Sequence, residues 1–329
     1  MFWKQIPVVH KCCSVPGIFD NPWAVHAYAY VHLLERYRRT WAALKYLSGV
    51  AVLPLGINGV RTLDIGAGPA PALFAIADFY QALNQYAREA NIPDLQLPDP
   101  ELNCIERSQP MVAFFHHFAE FTGRAGPFSP VFSDFAGLNL RELRAWNRRQ
   151  NEFETYWDPE TQQYEDMFNS SAAAESDRLF RYRMVVLSNF LTLESEVENF
   201  REELRRLFQD LRAGAVVIIL GGTGDSYQKI YKSLAQLARE EDLTEAGWHT
   251  DSLGRIDYAD AAARTIKLAQ NRVYLRLEQL VGSKALEKTK GWPDYWNPNP
   301  SPKTRRQFAL HIFRRGRWPK RPGIKRGNP

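Results

Sequence analysis

Leu63-Asp64-Ile65-Gly66-Ala67-Gly68-Pro69-Ala70-Pro71 is the stretch on which the fold turns. Residues 60–65, with Val60, Leu63 and Ile65 apolar, read as a short buried strand, and they meet a turn of small residues. Residues 72–90 then read as a helix. Glycines at the carboxyl end of a parallel strand let the backbone come close to a ligand. The start of the next helix offers unpaired N–H groups. Two nucleotide-type sites fit this beginning. A dinucleotide site asks for Gly-x-Gly-x-x-Gly, and here Gly66 and Gly68 match while Pro71 stands in the third place. The other reading takes the acid two residues before the first glycine, Asp64, into the signature.

Outward from this turn the chain alternates between the two periodicities. Residues 102–105, 131–133, 184–187, 215–220 and 308–313 read as further short strands, the fifth of these six being the most apolar. Helical spacing joins them: Val197, Phe200, Leu204, Leu207 and Leu211 step by 3, 4, 3 and 4. Ser195 with Glu198 predicts a capping box for that helix, and Gly214 predicts its end. Strand–helix repetition predicts a doubly wound α/β fold, a mostly parallel sheet covered on both faces. The long helical pattern at 258–280 falls where a seventh strand would be expected. Before the first strand, Asn21-Pro22 is a helix start, and Tyr30, Leu34, Tyr37, Trp41 and Leu44 form one face. The expected organisation is a helical cap at 1–54, an α/β domain at 55–315 with an insertion at 136–182, and a basic mobile tail at 316–329. The cap helix either packs on the main body or also lids a substrate site.

At the glycine turn the chain resembles the class I S-adenosylmethionine-dependent methyltransferases, whose first motif is acid-x-Gly-x-Gly-x-small. Asp64, Gly66, Gly68 and Ala70 match it, with Ala70 in the last glycine slot. The resemblance extends in order over residues 60–222. It implies a Rossmann-like fold, S-adenosylmethionine as cofactor, and Glu106 at the end of the second strand holding the ribose hydroxyls. It implies an adenine contact at Asp134 after the third strand. It also implies that the fourth-strand end around Asn189 lies where methionine and acceptor meet. Arg107 and Phe135 adjoin these acids and complete the candidate set. A carboxylate can accept both hydroxyls of a diol, although acids at strand ends also serve as solvent-facing caps. The gap from the turn to Glu106 is longer than the usual ~20 residues.

The subclass stays open. Ser188-Asn189-Phe190-Leu191 is not the Asp/Asn-Pro-Pro-Tyr/Phe signature of exocyclic-amine methylation, and no Pro-Cys nucleophile exists, since Cys104 lies inside the second strand. His116 and His117 sit among Phe114, Phe115 and Phe118 and read as structural. The Gly221-Gly222-Thr223-Gly224 turn lacks the Lys-Ser/Thr of a phosphate loop. A methyltransferase-like protein without catalysis, holding RNA or a ribosome, and a nicotinamide-dependent oxidoreductase are the two rivals.

Charge sharpens the first rival. The net charge is +5, yet from Lys303 onward ten Lys or Arg stand without any Asp or Glu, leaving the first 302 residues at −5. Phe308, Phe313 and Trp318 interleave that basic run. Such a segment attracts polyanions and can stack on bases. The helical start and late strand with a basic end are similar to the methyltransferase-like family of ribosomal small-subunit assembly. That family's cysteine cluster is missing here, so its metal site is not carried over. Three cysteines in 329 residues make no disulfide framework. No apolar run approaches the ~18 residues of a membrane span, and residues 1–13 lack a signal-type cleavage site. A reduced, cytoplasmic protein is expected.

Overall fold

A computed structural model describes residues 2–12, 17–55, 60–92, 97, 100–123, 128–132, 157–158, 163–164, 182–246, 256–257, 260–286 and 307–318. Seven strands form one sheet: β1 (Arg61–Ile65), β2 (Glu101–Glu106), β3 (Phe128–Phe132), β4 (Met184–Ser188), β5 (Val216–Gly221), β6 (Leu243–Glu245) and β7 (Gln307–Arg315). Their order is β3-β2-β1-β4-β5-β7-β6, and a two-residue strand, Ile256–Asp257, pairs on β7. The first five strands are parallel, while β7 runs antiparallel to both β5 and β6. This is a Rossmann-like α/β fold, as the alternation predicts. The seventh strand is the three-residue β6, too short to leave a periodic signal. The helix expected in its place lies in the long connection from β6 to β7.

Both faces of the sheet are buried because successive strand residues point to opposite sides. On β4, Met184 and Val186 join one core and Val185 and Leu187 the other. The first core is closed by α3 (Leu34–Gly49), α4 (Pro71–Glu89) and α5 (Gln109–Phe121). The second is closed by α6 (Glu194–Asn199), α7 (Arg201–Asp210) and α8 (Asp225–Glu240). α3 thus belongs to the main core.

Ahead of β1 come α1 (Ile6–Cys12) and α2 (Pro22–Tyr28). α2 starts as Asn21-Pro22 predicts, with Asn21 Oδ1 accepting from the Trp23 N–H at 3.0 Å. The chain then runs through a π-helical turn, Ala29–Leu33, directly into α3. This turn shifts the helix out of phase with the expected stripe. Leu34 is 40% exposed, while its neighbour Glu35 is buried and paired with Arg39. α9 (Asp260–Val281) and α10 (Ser283–Leu286) fill the β6–β7 connection.

Three local expectations change. The cap of α6 comes from Glu196, whose carboxylate accepts from the N–H groups of Thr192 (2.6 Å) and Leu193 (3.0 Å), and not from a Ser195–Glu198 box. α7 ends at Asp210, and Gly214 (φ 80°) serves the turn into β5, where its N–H donates to the Arg315 carbonyl. Trp318 belongs to the fold, because its indole N–H donates to the Thr244 carbonyl at 2.8 Å. Arg315 is likewise structural, donating to the carbonyls of Phe208 and Glu241 at 3.0 Å each. The insertion at 136–182, except for the paired strands Trp157–Asp158 and Gln163–Tyr164 and for Tyr182, lies outside the described residues, as does the tail beyond Trp318. Among the described residues, no helix is long and apolar enough to cross a membrane.

Candidate functional site

The strand order reverses between β1 and β4, and the crevice outside the carboxyl ends of these strands is where such sheets bind ligands. The sequence places its candidate residues there. β1 ends in Asp64-Ile65, β2 in Glu106 and β4 in Ser188, followed by Asn189.

The turn after β1 uses left-handed backbone three times, at Gly66 (φ 63°), Gly68 (φ 60°) and Ala70 (φ 54°). Glycine adopts this region freely and alanine does not, so Ala70 is the strained member. Gly66 is needed for a second reason. A Cβ there would stand 2.5 Å from Cδ2 of Phe190, the residue after Asn189. The N–H groups of Gly66 and Ala67 both donate to the Ile105 carbonyl, tying the turn to the end of β2. At Gly68 there is room: the nearest atom to a Cβ is Cε1 of Tyr28, at 3.7 Å.

Glu106 stands beside this turn and divides its oxygens. One accepts from the Gly68 N–H and the other from the Ser108 N–H, both at 2.8 Å. Burial raises its pKa, against the opposing pull of those N–H groups and of the adjacent Arg107 charge. A carboxylate has about four acceptor positions, so Glu106 keeps capacity beyond the backbone N–H groups of Gly68, Ser108 and Arg107. Ser108 in turn caps α5 and donates its hydroxyl to the Phe19 carbonyl at 2.8 Å, which fastens the N-terminal segment to the site.

Asp64 is the anomaly. It is 1% exposed, and neither of its oxygens has a hydrogen-bond partner among the described residues. Burial pushes its pKa well above the usual carboxylate range. The neighbouring Glu106 pushes it further, and Arg36 of α3 pulls it back. Buried polar groups are almost always bonded, so two oxygens without a partner among the described residues, at a strand end beside the glycine turn, mark a place for a donor. Nearby, the hydroxyl of Ser188 at the end of β4 and the Nδ2 of Asn189 just after it are also buried without a partner among the described residues, and Asn189 is held left-handed (φ 53°) by its N–H bond to the Leu220 carbonyl.

The cap contributes residues that no motif announces. Tyr28 faces Gly68 with its ring edge, is buried, and carries the Arg36 guanidinium 4.8 Å from its ring centre. His32 lies 4.9 Å from the same ring. The spacing of Tyr28, His32 and Arg36 was visible in the sequence, but nothing there tied it to the glycine turn. Phe190 and Ser108 were equally silent. The structure therefore brings Asp64, Gly66, Gly68, Glu106, Arg107 and Asn189 to one edge of the sheet, while Asp134 and Phe135 lie outside the described residues. His116 and His117 are exposed on α5. The Gly221-Gly222 turn is filled by Tyr227 and Tyr231, whose hydroxyl donates to the Gly222 carbonyl at 2.7 Å, so it is no phosphate cradle. No cluster of metal-ligating side chains occurs among the described residues.

No protein-family profile matches the chain, and no curated protein does. Solved structures with a similar course include a Galdieria sulphuraria protein assigned as a sarcosine dimethylglycine methyltransferase, with a TM-score of 0.40, 13% identity, and 84% and 83% of the two chains covered. The [4+2]-cyclase SpnF follows with a TM-score of 0.39, 15% identity, and 83% and 82% covered. The Haemonchus contortus phosphoethanolamine N-methyltransferase 2, solved with S-adenosylhomocysteine, has a TM-score of 0.37 at 13% identity, with 84% and 51% covered.

Proposed function

We propose that the chain binds S-adenosylmethionine at the Gly66–Gly68 turn and transfers its methyl group. The single observation behind this reading is the buried carboxylate of Asp64, unpartnered among the described residues, beside Glu106. Ionised carboxylates only accept hydrogen bonds, so the fitting ligand brings donors and positive charge. S-adenosylmethionine brings a ribose diol, an ammonium and a sulfonium. A pyrophosphate would bring acceptors and negative charge to the same place. It would also need the Gly68 N–H, which is already donated to Glu106. This speaks against the nicotinamide reading, as Pro71 does.

Methyl transfer is an in-line displacement, and much of its acceleration comes from holding donor and acceptor in line. No general base is therefore required of the chain. Glu106 would hold the ribose, Asp64 the cationic end, and Asn189, whose free amide can only donate from Nδ2, would orient the acceptor side. Contact with RNA is proposed only for the segment beyond Trp318, which carries Lys320, Arg321, Lys325 and Arg326. A cytoplasmic setting is proposed from the sparse cysteines, of which Cys104 is buried.

Calorimetric titration with S-adenosylmethionine, S-adenosylhomocysteine and NADH tests the assignment. The first two should bind and the third should not. Glu106→Ala should weaken binding by about 1.5–3 kcal/mol, the value of charge-assisted hydrogen bonds. Binding of NADH alone would overturn the reading, and unchanged affinity in folded Glu106→Ala would remove that residue from it. Gly68→Val separates an enzyme from a silent binding protein: methyl transfer should vanish, and a cellular function that survives the change would favour the silent one.

A further inference from the structure

We infer that Gln270 is a positioning residue for the glycine-turn site: it holds open the π turn at Ala29–Leu33, and through it keeps Tyr28, with Arg36 stacked on it, against Gly68. The hold on the turn stands on hydrogen bonds alone, whereas its effect on ligand affinity rests on the methyl-donor reading.

In an α-helix a residue eight positions along is rotated by about 80° from the first. Tyr28 and Arg36 are eight apart, yet the guanidinium lies 4.8 Å from the ring centre. The widened π turn between them makes that alignment possible, since it spends an extra residue per turn and so removes much of the rotation. The same phase change buries Glu35 and exposes Leu34. A ladder that passes from α to π spacing and back leaves backbone carbonyls in need of donors. Here the donor comes from α9, 240 residues away. Gln270 is 3% exposed, and its Nε2 donates to the carbonyls of Tyr30 and Val31 at 3.3 Å each. The Tyr30 hydroxyl donates back to the main-chain carbonyl of Gln270 at 2.9 Å. A leucine would fill the same volume. What glutamine adds is the donor pair that the widened turn requires, and a buried amide is tolerated only when so bonded. The long β6–β7 connection thus reaches round to set the register of the cap helix over the site.

Two readouts test this on the full chain. In Gln270→Leu without ligand, amide hydrogen exchange over residues 29–36 should speed up roughly fivefold or more, the effect of losing a net hydrogen bond, while β1 and β4 stay protected. Unchanged exchange over 29–36 would overturn the inference. The affinity for S-adenosylhomocysteine should fall by a similar factor, and Gln270→Leu combined with Tyr28→Ala should bind no more weakly than Tyr28→Ala alone. Additive losses, or an unchanged affinity in Gln270→Leu, would show that Gln270 does not act through Tyr28 and would overturn it as well. If the unaltered protein binds no S-adenosylhomocysteine, the methyl-donor reading fails, and the exchange result still decides whether Gln270 holds the turn. Should Gln270→Leu fail to fold, Gln270→Met removes the same two donors from an unbranched side chain and takes the same exchange test, with the same result overturning it.

Discussion

Asp64 sets a conflict between stability and binding at a single side chain. The folded protein holds its proton more tightly than the unfolded chain does, because burial and Glu106 disfavour the charge. Ionisation therefore costs stability. The cost is absent below about pH 4, where both states are protonated, and grows as pH rises through the raised folded value. Asp64→Asn should consequently melt higher than the unaltered protein at pH 8, by about 1–3 kcal/mol, with the margin shrinking toward pH 4. The same variant should lose most of its S-adenosylmethionine affinity. Thermal melts across pH, paired with titrations, check both, and a variant less stable at pH 8 would contradict the account. Ala70 offers a gentler case. Its left-handed backbone is strained for a residue with a Cβ, so Ala70→Gly should leave the melting temperature unchanged or raise stability by up to about 1 kcal/mol.

At the scale of elements, the late strand is where expectation and structure meet most usefully. β7 sits between β5 and β6, and Trp318 bonds back to Thr244. Cutting the chain after Trp318 should leave the fold intact and remove four basic side chains. If the tail contacts single-stranded RNA, the log–log salt slope of binding should flatten by at most about 3, near 0.7 for each neutralised phosphate. Equal slopes in a salt series would exclude the tail from any such contact. The sheet was legible from sequence wherever both faces are buried, because continuous apolar runs such as 215–220 announce themselves. The glycine turn and the acids of β1 and β2 were legible because the motif is local. β6 was not, since three residues carry no period. The π turn was not either, because it is set by Gln270, a partner 240 residues away. A helix wheel drawn at 3.6 residues per turn misplaces Leu34 and Glu35 for that reason. The role of Tyr28 stayed hidden with it.

At the scale of the whole molecule, the cap is built into the body. α3 shares the main core, Tyr37 donates to Asp78 of α4 at 2.7 Å, and Ser108 holds Phe19. Heat should therefore melt cap and sheet in one transition, with far-ultraviolet circular dichroism and tryptophan fluorescence giving coincident curves. An earlier fluorescence transition would mean that the cap opens by itself. The bond from α9 to the π turn has a further consequence, in time. A ribosome adds about 5–20 residues each second, so the stretch from Tyr30 to Gln270 takes roughly 12–50 seconds to make. Throughout that interval the cap helix has no donor for its widened turn, and the shape that places Tyr28 at the glycine turn has to wait for a helix still to be synthesised.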